Sequence, residues 1–304
     1  MRVRRFSSDR ILAGLLACLA LSALPVLAIP ASPVQAQSLQ TRYEERLREI
    51  RLITSMESAL FAASEAEKMA VMADTDEASA DFADKAVALS NTVEKARQEL
   101  ASLVEKGRLD KEAALLGDFG TCWTQYRALD KQILDLAVKN TNLKAARLSQ
   151  GRARELVSAV GECLDKAVAA APQGTSPGQA RELADKALIA VQQVQILHAP
   201  HIDESTASRM DDLEAQMRTR EAEARDALSR LSALLNGGGV PECSALMDEY
   251  AQATASVVVL SRQNTNLDSL RLSLDRKRAA TAGCSEILAA LKKTAFDRGF
   301  KATR

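Results

Sequence analysis

The sequence predicts an all-α protein: two tandem up-down-up-down antiparallel four-helix bundles behind a cleaved signal peptide. Three observations carry this. Apolar residues make up 47% of the chain and aromatics only 3%, so Ala and Leu supply the apolar content, which suits helices better than sheets. Apolar positions recur at steps of three and four, and no stretch alternates with period two. One pattern also occurs twice at a constant offset of 124 residues. It reads Tyr126, Asn140-Thr141-Asn142-Leu143, Leu148-Ser149, and then Tyr250, Asn264-Thr265-Asn266-Leu267, Leu272-Ser273.

The N-terminus reads as a targeting segment over residues 1–36. Arg2, Arg4, Arg5 and Arg10 precede an apolar run over residues 11–29, and Val34 and Ala36 fit the −3 and −1 positions of a cleavage site. The mature protein is then expected from Gln37, in the periplasm or secreted. Two alternatives stand beside this: a lipid anchor on Cys18, or an uncleaved anchor, since about 19 apolar residues can just span a bilayer. Cleavage removes four of 40 basic and one of 40 acidic residues, leaving 36 against 39 and a formal charge of −3. That balance offers nothing to a phosphate backbone, and nucleic acid is excluded as a partner.

The expected first helix covers about 39–72. Ile53, Met56, Leu60, Ala63 and Ala70 form its stripe, interrupted by Glu67. Asp74 and Glu77 resemble a capping box for the second helix. That helix has the cleanest seam, Phe82, Ala86, Leu89, Val93, Ala96, Leu100 and Leu103, and Gly107 is placed to end it. The third helix runs to Lys139 with Phe119, Cys122, Tyr126, Leu129, Ile133 and Leu136 inward. The fourth carries Ala153, Leu156, Val160, Cys163 and Ala167. This first bundle spans 37–171. The only Pro/Gly-rich linker, 172–178, separates it from a second bundle over 179–304. There a helix over 179–198 is stopped by Pro200, and Asp203-Glu204-Ser205-Thr206 opens the next. A stripe Met210, Met217, Leu228, Leu231 precedes the turn Asn236-Gly237-Gly238-Gly239. Cys243, Tyr250 and Val257 mark the third helix, and Leu267, Leu274, Cys284, Leu288 and Leu291 the fourth, with Lys277 interrupting.

Four cysteines remain after cleavage, and in an oxidising compartment an even count favours disulfides. Cys122 and Cys163 are 41 residues apart, as are Cys243 and Cys284. Each copy therefore reads as a helical hairpin with Asn-Thr-Asn-Leu at its apex. The matched spacing selects the pairs Cys122–Cys163 and Cys243–Cys284, facing at equal height on antiparallel legs.

The residues Trp123-x-x-Tyr126, Leu136-Ala137, Asn140 through Ala145 and Leu148-Ser149 resemble the C-terminal half of the four-helix-bundle sensory domain of methyl-accepting chemotaxis proteins. The second copy keeps Tyr250, the Asn-Thr-Asn-Leu run and Leu272-Ser273, with Met247 in place of Trp123. The resemblance implies an extracytoplasmic domain that binds small molecules or partner proteins, often as a dimer. In the family such a domain lies between transmembrane helices and precedes a HAMP and a signalling coiled coil. Here the sequence ends at Arg304 with neither, which reads as the sensor fold used as a free module.

Up-down-up-down topology places the first and third connections at one end. Asp74–Glu77 then lie beside Asn140 and Asn142, and His198, His201, Asp203 and Glu204 lie beside Asn264 and Asn266. The functional reading is a ligand site of Asn140, Asn142, Asn264 and Asn266, with Arg147 and Arg271 as carboxylate clamps. The bland reading is that Asn and Thr cap helices. His198, His201 and Asp203 are weak metal candidates, because Pro200 should break their helical spacing. No CxxCH, Glu-x-x-His, H-E-x-x-H or P-loop is present, so no enzyme and no cofactor are expected. The expected function is an exported, non-enzymatic sensory or binding module. It would recognise a small molecule or a membrane receptor, or self-associate through helix faces. The alternatives are an envelope scaffold without a small ligand, or a periplasmic metal-binding protein.

Overall fold

The computed structural model describes residues 33–301. Most of the signal-segment reading, Cys18 included, falls outside that range. Ten α-helices occur among the described residues: α1 (Pro33–Met72), α2 (Asp76–Gly107), α3 (Asp110–Ala137), α4 (Thr141–Leu148), α5 (Arg154–Ala169), α6 (Pro177–Ile202), α7 (Ala207–Leu234), α8 (Val240–Ser261), α9 (Thr265–Leu272) and α10 (Arg278–Lys301). A π-helical turn, Ser149–Ala153, joins α4 to α5, and another, Ser273–Lys277, joins α9 to α10, making two continuous rods. The chain divides into compact units at Glu44 and Glu45. Of the first unit, the opening of α1 is described, where Gln40 Nε2 donates to Glu44 Oε1 at 3.0 Å. Both helix groups belong to the second unit.

Most helix spans follow the predicted periodicity, and the differences are local. Thr75, not Asp74, caps α2, its hydroxyl accepting from the Ala78 N–H at 3.0 Å. At the other end of α2 the left-handed residue is Arg108, at φ 51°, one position after the expected Gly107. A Cβ at Gly107 would lie 3.0 Å from Leu109 Cγ, so a larger residue there would need the Leu109 side chain to shift. Pro200 does not stop α6, which continues to Ile202. Pro200 sits in the last turn on the exposed side, where water can meet the carbonyl its missing N–H leaves free.

The larger departure is in how the helices associate. Two four-helix groups form, but neither is one copy of the repeat. The first group buries Ile53, Met56 and Leu60 of α1, Val93, Ala96 and Leu100 of α2, Phe119, Trp123 and Tyr126 of α3, and Cys284, Leu288 and Leu291 of α10. The second buries Leu156, Val160 and Leu164 of α5, Ala187 and Val191 of α6, Leu228 and Leu231 of α7, and Cys243, Met247 and Tyr250 of α8. After Asn140 the chain does not return along α3. It passes into the second group, where α4 packs on α8, while α9 packs on α3. Each copy thus gives three helices to one group and its fourth to the other.

The predicted disulfide pairs are corrected accordingly. The bonds are Cys122–Cys284, with Cα atoms 5.6 Å apart, and Cys163–Cys243, at 5.5 Å. Both join the third helix of one copy to the fourth of the other. The hairpin reading erred for a definite reason. The two fourth helices are near-equivalent, so every inward face a hairpin would use is offered equally by the other copy. In the exchanged pairing α3 and α10 still run antiparallel. Arg298 of α10 pairs with Glu112 near the start of α3 at 2.6 Å, and Leu272 of α9 packs by Ala137 at its end.

Candidate functional site at the helix crossover

The two copies meet where α3 leads to α4 and α8 leads to α9. Asn140 and Asn264 both take left-handed backbone, at φ 51° and 50°, a conformation Asn tolerates better than most residues. The first turns of α4 and α9 expose N–H groups with no partner of their own. Each helix caps the other. The Thr265 hydroxyl accepts from the Thr141 N–H at 3.1 Å, and the Thr141 hydroxyl accepts from the Thr265 N–H at 3.3 Å. Asn266 Oδ1 accepts from the Asn142 N–H at 3.1 Å, and Asn142 Oδ1 from the Asn266 N–H at 3.2 Å. Asn142 Nδ2 donates to Asn264 Oδ1 at 3.0 Å, and Asn266 Nδ2 to Asn140 Oδ1 at 2.9 Å. The result is a local pseudo-two-fold of side chains 122 to 126 residues apart.

These bonds place the predicted ligand-binding residues. The four asparagine side chains are spent largely on one another. Asn142 Nδ2 also donates to Ile202 O at 2.8 Å and Asn264 Nδ2 to Glu204 O at 3.1 Å, whereas Asn140 Nδ2 is buried without a partner. The two arginines do not join them. Arg147 Nη2 donates to Asp74 O at 2.5 Å, and Lys144 pairs with Asp76 at 3.3 Å, tying α4 to the connection between α1 and α2. Arg271 is mostly exposed and pairs at 2.9 Å with Asp268 on its own helix. The expected gathering of connections at one end does occur: Asp74 lies by Arg147, and Ile202 and Glu204 lie by the asparagines.

Flanking the crossover, each group carries a buried polar layer. In the second group His198 lies 3.0 Å from Ser149 Oγ through Nδ1 and 3.2 Å from Thr254 Oγ1 through Nε2. Gln195 donates to the Ser149 carbonyl at 2.9 Å, and Tyr250 donates to Val191 O at 3.3 Å. Burial, helped by the neighbouring His201, holds the His198 imidazole down at about 4, so it is neutral near pH 7. His201 lies 2.6 Å from Ser261 Oγ and 3.1 Å from Glu214 Oε1. Burial works to raise the Glu214 carboxyl, but Arg262 and His201 prevail and hold it below its usual value. All four imidazole nitrogens thus have protein partners. Pro200 leaves the helical spacing of the two histidines intact, contrary to the expectation. Asp203 caps the end of α6. Among the described residues, no three His, Cys, Asp or Glu side chains gather as a metal would require.

The layer of the first group was not predicted as a site. Lys277, on the π-helical turn before α10, is 1% exposed and bonds Asp130 of α3, and its Nζ lies 3.6 Å from the centre of the Tyr126 ring. Ser90 of α2 donates to Asp130 Oδ2 at 3.4 Å. Glu67 of α1 is fully buried, and neither carboxyl oxygen has a partner at hydrogen-bond geometry, nor has the Tyr126 hydroxyl. Burial raises the Glu67 carboxyl, opposed by nearby Ser273 and Lys277, and burial likewise raises the Tyr126 phenol. Burial lowers the Lys277 ammonium, against the pull of Asp130. Glu67 and Lys277 both stood out in the sequence as charges interrupting an apolar stripe, which was the available signal. Their meeting required the exchanged pairing of α3 with the rod of the other copy.

The family described as a four helix bundle sensory module for signal transduction matches residues 11–174, more than half of the chain. The match begins in the N-terminal apolar run and ends in the linker before α6. No curated protein and no solved structure matches. The matched stretch holds one whole copy of the repeat, whose three long helices and rod divide between the two groups. The family is sensory, not catalytic. The chain belongs to the four-helix-bundle sensory modules of signal transduction.

Proposed function

We propose that the protein is an exported, non-enzymatic sensory module that recognises a small molecule or a membrane receptor partner. Membership of the sensory family is the observation that carries this reading. Export is supported by the basic start, the apolar run and the small residues before Gln37. The two cystines fit a non-cytoplasmic compartment. No helix of the described residues is long and apolar enough to cross a membrane. The crossover is the natural place for a signal to pass between the groups, because Arg147, Asn142 and Asn264 tie connections of both copies together there.

Purified protein screened by thermal shift against amino acids, organic acids and metal ions should gain stability with at least one ligand class. A flat response throughout, together with no partner recovered from envelope extracts by crosslinking, removes the sensory reading.

A scaffold reading without a small ligand draws on one specific observation. Ile189 and Ile196, seven residues apart on α6, are 52% and 70% exposed. They form an apolar stripe suited to a protein partner. Crosslinking from those two positions to an envelope protein, with no small-molecule response, would favour this second reading.

A further inference from the structure

The polar layers on either side of the crossover share the positions Tyr126/Tyr250, Asp130/Thr254 and Ser273/Ser149, 124 residues apart, but differ in charge. The second group's layer is neutral where it touches Tyr250, and its histidine, serine, threonine and glutamine bond one another. The first group's layer holds two carboxyls, Glu67 and Asp130, and one ammonium, Lys277, which is committed to Asp130. The groups facing Glu67 come from every neighbouring element. Tyr126 and Asp130 belong to α3, Ser273 and Lys277 to the π-helical turn, and Lys68 is beside it on α1. The buried residues of α2 are all uncharged, and Ser90 among them serves Asp130. An ionised Glu67 would be a second buried anion with one cation to share.

We propose that Glu67 is the proton-binding residue of a switch that acts on the π-helical turn Ser273–Lys277. With its proton, Glu67 leaves Lys277 to Asp130 and to the face of Tyr126. On losing it, Glu67 competes with Asp130 for the Lys277 ammonium and draws on the turn from the side of α1. π-helical turns add a residue to the helical ladder and are frequent at functional sites, and this one runs directly into α10 at Arg278. The pull on Lys277 is therefore transmitted into α10, which the second copy supplies to this group. The device does not depend on what ligand the module senses.

The test uses the full chain labelled with 13C at glutamate carboxyls, the Glu67 resonance being assigned by its loss in Glu67→Gln. On titration the Glu67 carboxyl should change above the usual carboxylate range. Amide exchange across 273–277, corrected for intrinsic rate, should quicken over the same pH interval. In Glu67→Gln that pH dependence should vanish. If Glu67→Gln does not fold, Glu67→Asp supplies the assignment and the wild-type titration decides. A Glu67 resonance that completes its change within the usual range overturns the proposal, as does a turn whose exchange ignores Glu67.

Discussion

Asn142 and Asn266 each satisfy the first-turn N–H of the other's helix, so their loss leaves a buried donor unpaired. Asn142→Ala and Asn266→Ala should each cost about 1–2 kcal/mol in urea unfolding. The double variant should cost less than the sum, because the two act as one unit. His198 gives a pH prediction. Its folded value of about 4 lies below the ordinary 6.5, so the folded state binds fewer protons between these limits. Stability from this residue is complete above about pH 6.5 and falls as pH drops towards 4, by up to about 3 kcal/mol. His198→Gln should flatten that part of the stability curve. Glu67 contributes with opposite sign. Its raised value makes the folded state bind more protons, so its contribution is present at low pH and lost as pH rises. The sequence marked Glu67 and Lys277 as misfits but could not name Asp130, which lies 147 residues from Lys277 and beside an ordinary stripe position.

At the scale of elements, helix spans were legible because a 3.6-residue period is local information. The association of the helices was not, because a duplicated sequence makes the two fourth helices interchangeable in pattern. Non-reducing peptide mapping should recover Cys122 with Cys284 and Cys163 with Cys243. Either partner changed to Ser should behave alike, at a cost of about 2–5 kcal/mol. The first bond closes 162 residues and the second 80, so breaking the first should cost more, by about 0.6 kcal/mol in the chain-entropy account. Equal recovery of Cys122 with Cys163 would restore the hairpin arrangement.

At the scale of the molecule, the exchange makes a cut in the linker informative. The residues between α5 and α6 are largely exposed, and a protease site placed at Thr175 and Ser176 should be cleaved without unfolding either group. The two fragments should run together on a non-reducing denaturing gel and separate only after reduction, since both cystines join fragment to fragment. Hairpin pairing would let them part at once. The surroundings of the candidate site were legible in part, since the connection after α6 reaches Asn142 and Asn264 while that after α1 meets Arg147 and Lys144. The site was not legible in its chemistry, because the asparagines answer one another across the repeat.

That reciprocity bears on how the gene can change. A lineage that lengthens α3 alters the partner it finds in α10, which descends from the other half of the duplication. Neither half is free to drift alone, and compensating substitutions should appear in pairs that span the two halves, as Cys163 with Cys243, Cys122 with Cys284 and Glu112 with Arg298 do. An ordinary tandem array would instead keep them within one unit.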